Sequence, residues 1–274
     1  MRQNVQMIEV ITRQAYERRT KTPLLFVHGE WHAAWCWDRG FLDYFAQRGW
    51  DSYALSLRNH GESNTTGSLR SIRYRSFVAD IASVVDGMEA APVLIGHSMG
   101  GYLVQKYIED HDVAGAVLIA SVPVTGTFAA AARFARRHPL QFLKSLVTMS
   151  LWPAVQTPEL AQEYLLDADA SPTAVEAVFD MLQDDSFFAA LDMMALALPK
   201  PQKTGAPVMV CAGSEDALFT VREAQITAQA YGVEAQVFSG LPHDMMLSDN
   251  WQHPAAAIAR WLEGVPSRHV GDSR

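Results

Sequence analysis

The chain has 274 residues, 49% of them apolar, enough for one sizeable core or two small ones. A formal net charge of −8 argues against a nucleic-acid binder, which is normally basic. The two cysteines, Cys36 and Cys211, form no CxxC pair, which argues against zinc and thioredoxin-type chemistry; their apolar neighbours read as burial of free thiols.

The N-terminal segment has no apolar stretch of the kind a secretory signal needs, and no apolar run is long enough to span a bilayer. A soluble, cytoplasmic protein is expected. From there, short apolar runs alternate with amphipathic stretches. Leu24–Val27 reads as a strand ending in His28-Gly29, and Phe41–Gln47 as a helix. Asp51–Ser56 is the next strand and Phe77–Met88 the next helix. Pro92–His97 is a strand that runs into Ser98, followed by a helix over Gly100–Asp110. Ala114–Ser121 is a strand ending in Val122-Pro123. The runs are too short for buried helices and rich in Val, Leu and Ile, as expected for a parallel sheet covered on both faces.

The alternation breaks between Val124 and Lys203, where no strand is expected. Thr157-Pro158 and Ser171-Pro172 are helix starts. The hydroxyl caps a free N–H, and proline fits the first helical position because it has no N–H to lose. Residues 124–203 therefore read as a helical cap or lid, with 1–123 and 204–265 forming the core. The rhythm resumes with strand Pro207–Ala212, helix Val221–Tyr231, strand Ala235–Phe238 and helix Pro254–Leu262. The polar residues 266–274 are expected to form a flexible tail. The expected class is α/β, a doubly wound, mostly parallel sheet with a helical insertion. In such sheets ligands sit beyond the carboxyl ends of the strands, so chemistry is sought just after each strand.

The sharpest signal there is Gly96-His97-Ser98-Met99-Gly100, directly after a strand and directly before a helix. This G-x-S-x-G spacing suits a sharp strand-to-helix turn that lifts a serine hydroxyl above the sheet, with small residues relieving the crowding on either side. The helix N-terminus offers free N–H groups and a positive dipole to a developing anion. A serine hydroxyl needs a base. His243 follows a late strand and the turn Gly240-Leu241-Pro242. By contrast, His111 ends a helix, His138 falls in the insertion, His253 starts the last helix and His269 is in the tail.

These motifs resemble those of the α/β-hydrolase superfamily, from about Thr22 to Leu262. The resemblance implies the order Ser98, acid, His243. It favours Asp216 over Glu215 as the acid, because the family pattern after this strand is Gly, one or two variable residues, then Asp. It also implies an oxyanion hole made by the backbone N–H groups of Met99 and Glu30. A carboxylate so close to an oxyanion must turn away, pair with a cation or be partly protonated. The stretch from His28 to Trp37 is similar to the HG-x-x-H-x-x-W-x-W stretch of plant methyl-ester esterases and hydroxynitrile lyases. Ser56–Ser63 and His243–Leu247 resemble bacterial lysophospholipase-like and monoacylglycerol-lipase-like hydrolases.

The resemblance implies a serine esterase or lipase-like hydrolase that cleaves small or medium apolar carboxylic esters through an acyl-serine. No metal or organic cofactor is implied. The expected partner is a small-molecule ester, with homodimerisation left open and neither nucleic acid nor stable membrane insertion expected. Trp31, His97, Met193 and Met194 are the expected pocket residues. Alternatives on the same fold are a C–C bond lyase, a cofactor-free oxygenase and a non-catalytic receptor. A lyase of the hydroxynitrile type needs a cation near His243, for which Lys200 and Lys203 are the candidates. His243 is expected to titrate within about one unit of the reference 6.5. The rate should then fall on the acid side and reach a plateau in mild alkali, with only the backbone of Glu30 taking part.

Overall fold

The computed structural model describes residues 7–64 and 67–266. All but the first residue of the expected tail lies outside them. Seven strands form one sheet: β1 Val10–Arg13, β2 Leu24–Val27, β3 Ser52–Leu55, β4 Val93–His97, β5 Gly115–Ile119, β6 Val208–Gly213 and β7 Ala235–Phe238. Their order is β1-β3-β2-β4-β5-β6-β7. Every pair is parallel except β1 with β3. The α/β fold with a mostly parallel sheet is the one expected. The edge strand β1 was not expected. It is half-buried, so its short Val-Ile-Thr-Arg run lacks the continuous apolar signature of the central strands.

Two apolar layers flank the sheet. On one face, Phe26, Val93, Ile95 and Ile119 pack against Trp37, Phe41 and Phe45 of α1 (Phe41–Ala46) and its approach, and against Ile258 and Leu262 of α10 (Gln252–Leu262). On the other, Leu25, Val27, Leu94 and Leu118 pack against Phe77 and Ile81 of α2 (Tyr74–Val85) and Tyr102 and Leu103 of α3 (Met99–Tyr107). Ala228 of α9 (Val221–Ala230) joins this second layer. Alternate residues of each strand thus enter opposite layers. Cys36 and Cys211 are buried free thiols.

Between β5 and β6 run five helices: α4 Phe128–Arg137, α5 Pro139–Thr148, α6 Pro158–Leu165, α7 Pro172–Phe179 and α8 Phe187–Leu191. The Thr157 and Ser171 hydroxyls accept from the third helical N–H of α6 and α7, and each helix begins with proline. The insertion is fastened to the sheet domain along its length. Arg73 pairs with the fully buried Asp192, and Arg133 meets Glu223 at 2.9 Å. Gln183 donates to the Asn59 carbonyl and accepts from Gly61 N–H, both at 2.9 Å. The Tyr102 hydroxyl donates to the Ala197 carbonyl at 2.9 Å, and Asp244 N–H to that of Leu165 at 2.9 Å. No helix among the described residues is long and apolar enough to cross a membrane.

Candidate active site

The chain leaves β2 toward β3 on one side and returns to β4 on the other, so the winding reverses between β2 and β4. Such a switch point leaves a crevice at the carboxyl ends of the two strands. The loop after β2 holds Glu30 and the turn after β4 holds Ser98, one on each side of it. Ser98 has φ 51°, a left-handed backbone conformation costly for a side chain with a Cβ. It is held there by its own N–H, which donates to the Ile119 carbonyl at 3.0 Å, and by Val122 N–H, which donates to its carbonyl at 3.2 Å. The flanking glycines follow from close packing. A Cβ on Gly96 would lie 2.4 Å from the Gly100 carbonyl oxygen, and one on Gly100 would lie 2.3 Å from that of Val27.

Two more strands supply a histidine and an acid. Asp216 follows β6, and its Oδ1 accepts from Leu218 N–H at 2.8 Å and Phe219 N–H at 2.9 Å. Its Oδ2 accepts from His243 Nδ1–H at 2.9 Å. His243 Nε2 is buried and has no protein partner. That nitrogen is therefore the acceptor, free to take a proton. Burial is the largest influence on His243 and pushes its pKa down, but Asp216, by charge and hydrogen bond, and Asp244 carry it above the ordinary histidine value. Glu215 is exposed and its carboxylate accepts from the Ser214 hydroxyl, so the two neighbouring acids occupy different surroundings.

At the other side of the crevice, Gly29 comes so close that a Cβ on it would lie 2.8 Å from that of Ser98. No protein acceptor among the described residues takes the N–H of Glu30 or of Met99. An apolar cavity of about 160 Å³ opens beside this loop, between α4, α5 and α8. That is close to the volume of an apolar cavity able to hold benzene. Trp31, Met193 and Met194 are in its wall, with Glu30, Leu146, Leu218 and Phe219. The Phe219 ring also packs on His243, with centroids 5.5 Å apart.

His97, expected in the pocket, is not in this wall. It shares the strand face of Val93 and Ile95, so its ring enters the core beside Trp37 and His32. Its Nε2–H donates to the His243 carbonyl at 3.1 Å. Burial and then the neighbouring His243 push it down to about 3, so it is neutral. Lys203 pairs with Asp110 at the surface at 2.9 Å and Lys200 is exposed, which leaves the lyase reading without its cation.

The Glu30 side chain faces the cavity without a protein hydrogen bond. Burial first, then the charges of Asp185 and Asp184, push its carboxyl up to about 8. Of the three resolutions open from sequence, the surroundings favour protonation. Asp184 is itself capped by the Ser150 hydroxyl and by Leu151 and Trp152 N–H groups. Asp185 lies 3.1 Å from His60 and accepts from Trp31 N–H at 3.3 Å. Neither feature was anticipated, because the partners are distant in sequence, those of Asp185 by more than a hundred residues.

His97, His243 and Asp244 bring ligand atoms within 4.8 Å of one another. The contacts of this group are internal: Asp244 faces His32 at 2.9 Å, and His97 is spent on the His243 carbonyl. The arrangement is accounted for by contacts among the protein's own groups.

A monoacylglycerol lipase from Paleococcus ferrophilus superposes with a TM-score of 0.72 at 20% identity, covering 95% of this chain and 100% of that one. A putative non-heme bromoperoxidase from Mycobacterium tuberculosis H37Rv gives 0.76 at 16% identity, over 95% and 97%. An esterase from Exiguobacterium antarcticum gives 0.68 at 16%, over 94% and 96%. At such identities the likeness shows the fold alone. No curated protein matches the sequence. A model of the alpha/beta hydrolase family matches residues 24–261, a span that runs from β2 into α10 and takes in every residue gathered at the crevice. The chain belongs to the alpha/beta hydrolase family.

Proposed function

We propose that this hydrolase cleaves carboxylic esters of small or medium apolar substrates through an acyl-Ser98 intermediate. The observation that carries the reading is the Ser98 turn at φ 51° together with a buried His243 whose Nδ1–H is held by Asp216 and whose Nε2 has no hydrogen-bond partner among the described residues. In this mechanism Ser98 Oγ attacks the ester carbonyl carbon as His243 Nε2 takes its proton. The carbonyl oxygen becomes an oxyanion between the Glu30 and Met99 N–H groups. His243 returns the proton to the leaving alkoxide, which departs as the alcohol. Water then attacks the acyl-Ser98 carbon, giving its proton to His243, which passes it to Ser98 Oγ as the Oγ–carbon bond breaks and the acid is released. The apolar cavity beside Glu30 receives the acyl chain. A series of p-nitrophenyl esters from acetate to laurate tests this. The expected result is a burst of nitrophenol followed by turnover, strongest for short and medium chains. Inertness across the whole series overturns the reading.

The surroundings of Glu30 change the expected pH profile. His243 must be neutral to act, and its pKa is raised, so kcat/KM should fall on the acid side with a midpoint above 6.5. Glu30 is neutral below about 8 and becomes an anion above it, next to the developing oxyanion. The rate should therefore fall again in mild alkali, where the sequence alone suggested a plateau. The expected profile is a bell, and Glu30→Gln should remove its alkaline limb while leaving the acid limb in place. A variant with the wild-type bell would show that the Glu30 side chain has no part in it.

A further inference from the structure

Behind His243, on the side away from the cavity, lies a second histidine–aspartate arrangement that the mechanism does not use. His32 and Asp244 are both fully buried. His32 Nδ1 is 2.7 Å from the Glu30 carbonyl oxygen. A carbonyl oxygen only accepts, so this nitrogen carries a proton. His32 Nε2 is 2.9 Å from Asp244 Oδ2, and His97 Nε2 is 3.4 Å from Asp244 Oδ1. Two ring nitrogens thus converge on one buried carboxyl group. A buried carboxylate is tolerated only with its charge balanced. His97 is neutral and spends its proton on the His243 carbonyl. That leaves His32 Nε2 as the ring nitrogen set against the carboxylate. The surroundings agree: burial raises the Asp244 carboxyl, but His32, by charge and hydrogen bond, then His97 and His243, bring it below the ordinary carboxylate value. The other titratable groups nearby are His28, kept neutral well below its usual range by burial and then His60, and Cys36, whose thiol burial and then Asp244 push well up.

The position of this pair is what gives it a consequence. Gly29, Glu30 and Trp31 present three successive carbonyls beside Ser98, and each is held. His28 Nδ1–H donates to Gly29 at 2.8 Å, His32 Nδ1–H to Glu30, and Gln183 N–H to Trp31 at 2.9 Å. Trp31 itself sits at φ 65°, a strained turn that those bonds maintain. The Glu30 N–H is left free at the crevice. Asp244 is the residue after His243, so the His32–Asp244 contact ties the Glu30 loop to the His243 loop across about two hundred residues of chain.

We infer that His32, bridging Asp244 to the Glu30 carbonyl, is a positioning residue that sets the distance between the oxyanion-binding peptide and the proton-accepting histidine. The inference rests on the esterase reading given above. Its effect falls on the tetrahedral adduct more than on ground-state binding, because an N–H displaced from the oxyanion loses its bond only once charge develops.

The test uses the rate at which an alkyl fluorophosphonate labels Ser98, which needs no natural substrate. Asp244→Asn removes the charge with little change in volume, and His32→Gln keeps one donor for the Glu30 carbonyl. Labelling is expected to slow by about 10²-fold in Asp244→Asn, in line with losing one oxyanion donor. His32→Gln should be milder, and His32→Ala as severe as Asp244→Asn. KM for a short ester should stay within about threefold of wild type, whereas a merely structural lesion would lower stability and scatter both constants. Nitrogen-resolved NMR of ring-labelled histidine in the wild-type protein supplies a readout that survives misfolding of any variant. One buried ring, identified by its loss in His32→Gln or by its contact to Trp35, should carry an Nδ1 proton protected from solvent exchange by the Glu30 carbonyl. A His32 without that protected proton, or folded variants that label at the wild-type rate, overturns the inference. Failure of wild-type Ser98 to label at all overturns instead the esterase reading beneath it.

Discussion

Replacing Ser98 by alanine is expected to lower ester turnover by on the order of 10⁶-fold, the scale seen when a serine hydrolase loses its nucleophile. Covalent labelling by a fluorophosphonate should vanish with it. The fold should survive. Alanine keeps the Cβ, so the left-handed backbone at this position is no more strained than with serine, and the bonds from Ser98 N–H to Ile119 and from Val122 N–H to the Ser98 carbonyl involve only the main chain. Thermal unfolding should stay within a few degrees of wild type. What remains of the rate should be the part due to substrate binding and the free N–H groups of Glu30 and Met99. Mass spectrometry of the labelled protein checks the assignment directly. A label that persists on the variant, with activity retained, means another residue is the nucleophile.

Asp216→Asn should cost about 10⁴-fold in turnover, comparable to the same change in a serine protease, and the local bonding gives the reason. Oδ1 faces two N–H donors, Leu218 at 2.8 Å and Phe219 at 2.9 Å, so the amide oxygen of asparagine must take that place. The amide NH₂ is then forced into the Oδ2 position, facing His243 Nδ1. Two N–H groups cannot face each other, so the imidazole proton moves to Nε2, and the base loses its acceptor. Glu215→Gln, one residue away on an exposed side chain, should change turnover by less than about threefold. Reversed behaviour of these two variants would place the orienting acid at Glu215.

The sequence made most of this architecture readable because the sheet is parallel and fully covered. Its central strands need unbroken Val, Leu and Ile, and β2 matches its expected residues end to end. The edge strand β1 escaped because only part of it is buried. Ser98 was readable because its surroundings are local. The glycines that relieve its crowding are two residues away on either side. His97 misled for the opposite reason. It sits in the same motif, but the pleat of β4 turns its side chain to the far face. Asp244 shows a similar divergence from His243: adjacent in the chain, the two point to different partners. The His32 and His60 contacts join positions far apart in sequence, and nothing in either neighbourhood marks them. The protonation of Glu30 depends on Asp184 and Asp185 of the insertion and on the low polarity of the cavity, which only the assembled structure brings together.

The fastening of the helical insertion bears on how a molecule reaches Ser98. Half-buried ion pairs and hydrogen bonds hold it from α4 through Ala197, with Arg73 and Asp192 near one end and Arg133 and Glu223 near the other. Such a segment is a fixed wall. Passage then depends on side-chain rotation, on picosecond to nanosecond timescales, and not on segmental opening in microseconds to milliseconds. Leu146 and Met194, unbranched at Cβ and set in the cavity wall, are the groups able to swing aside, whereas Met193 is packed into the core. A gate of that kind filters by cross-section. Slender unbranched chains pass between the rotating side chains, while branching beside the carbonyl stalls at the mouth, however well the bulkier molecule would have fitted once inside.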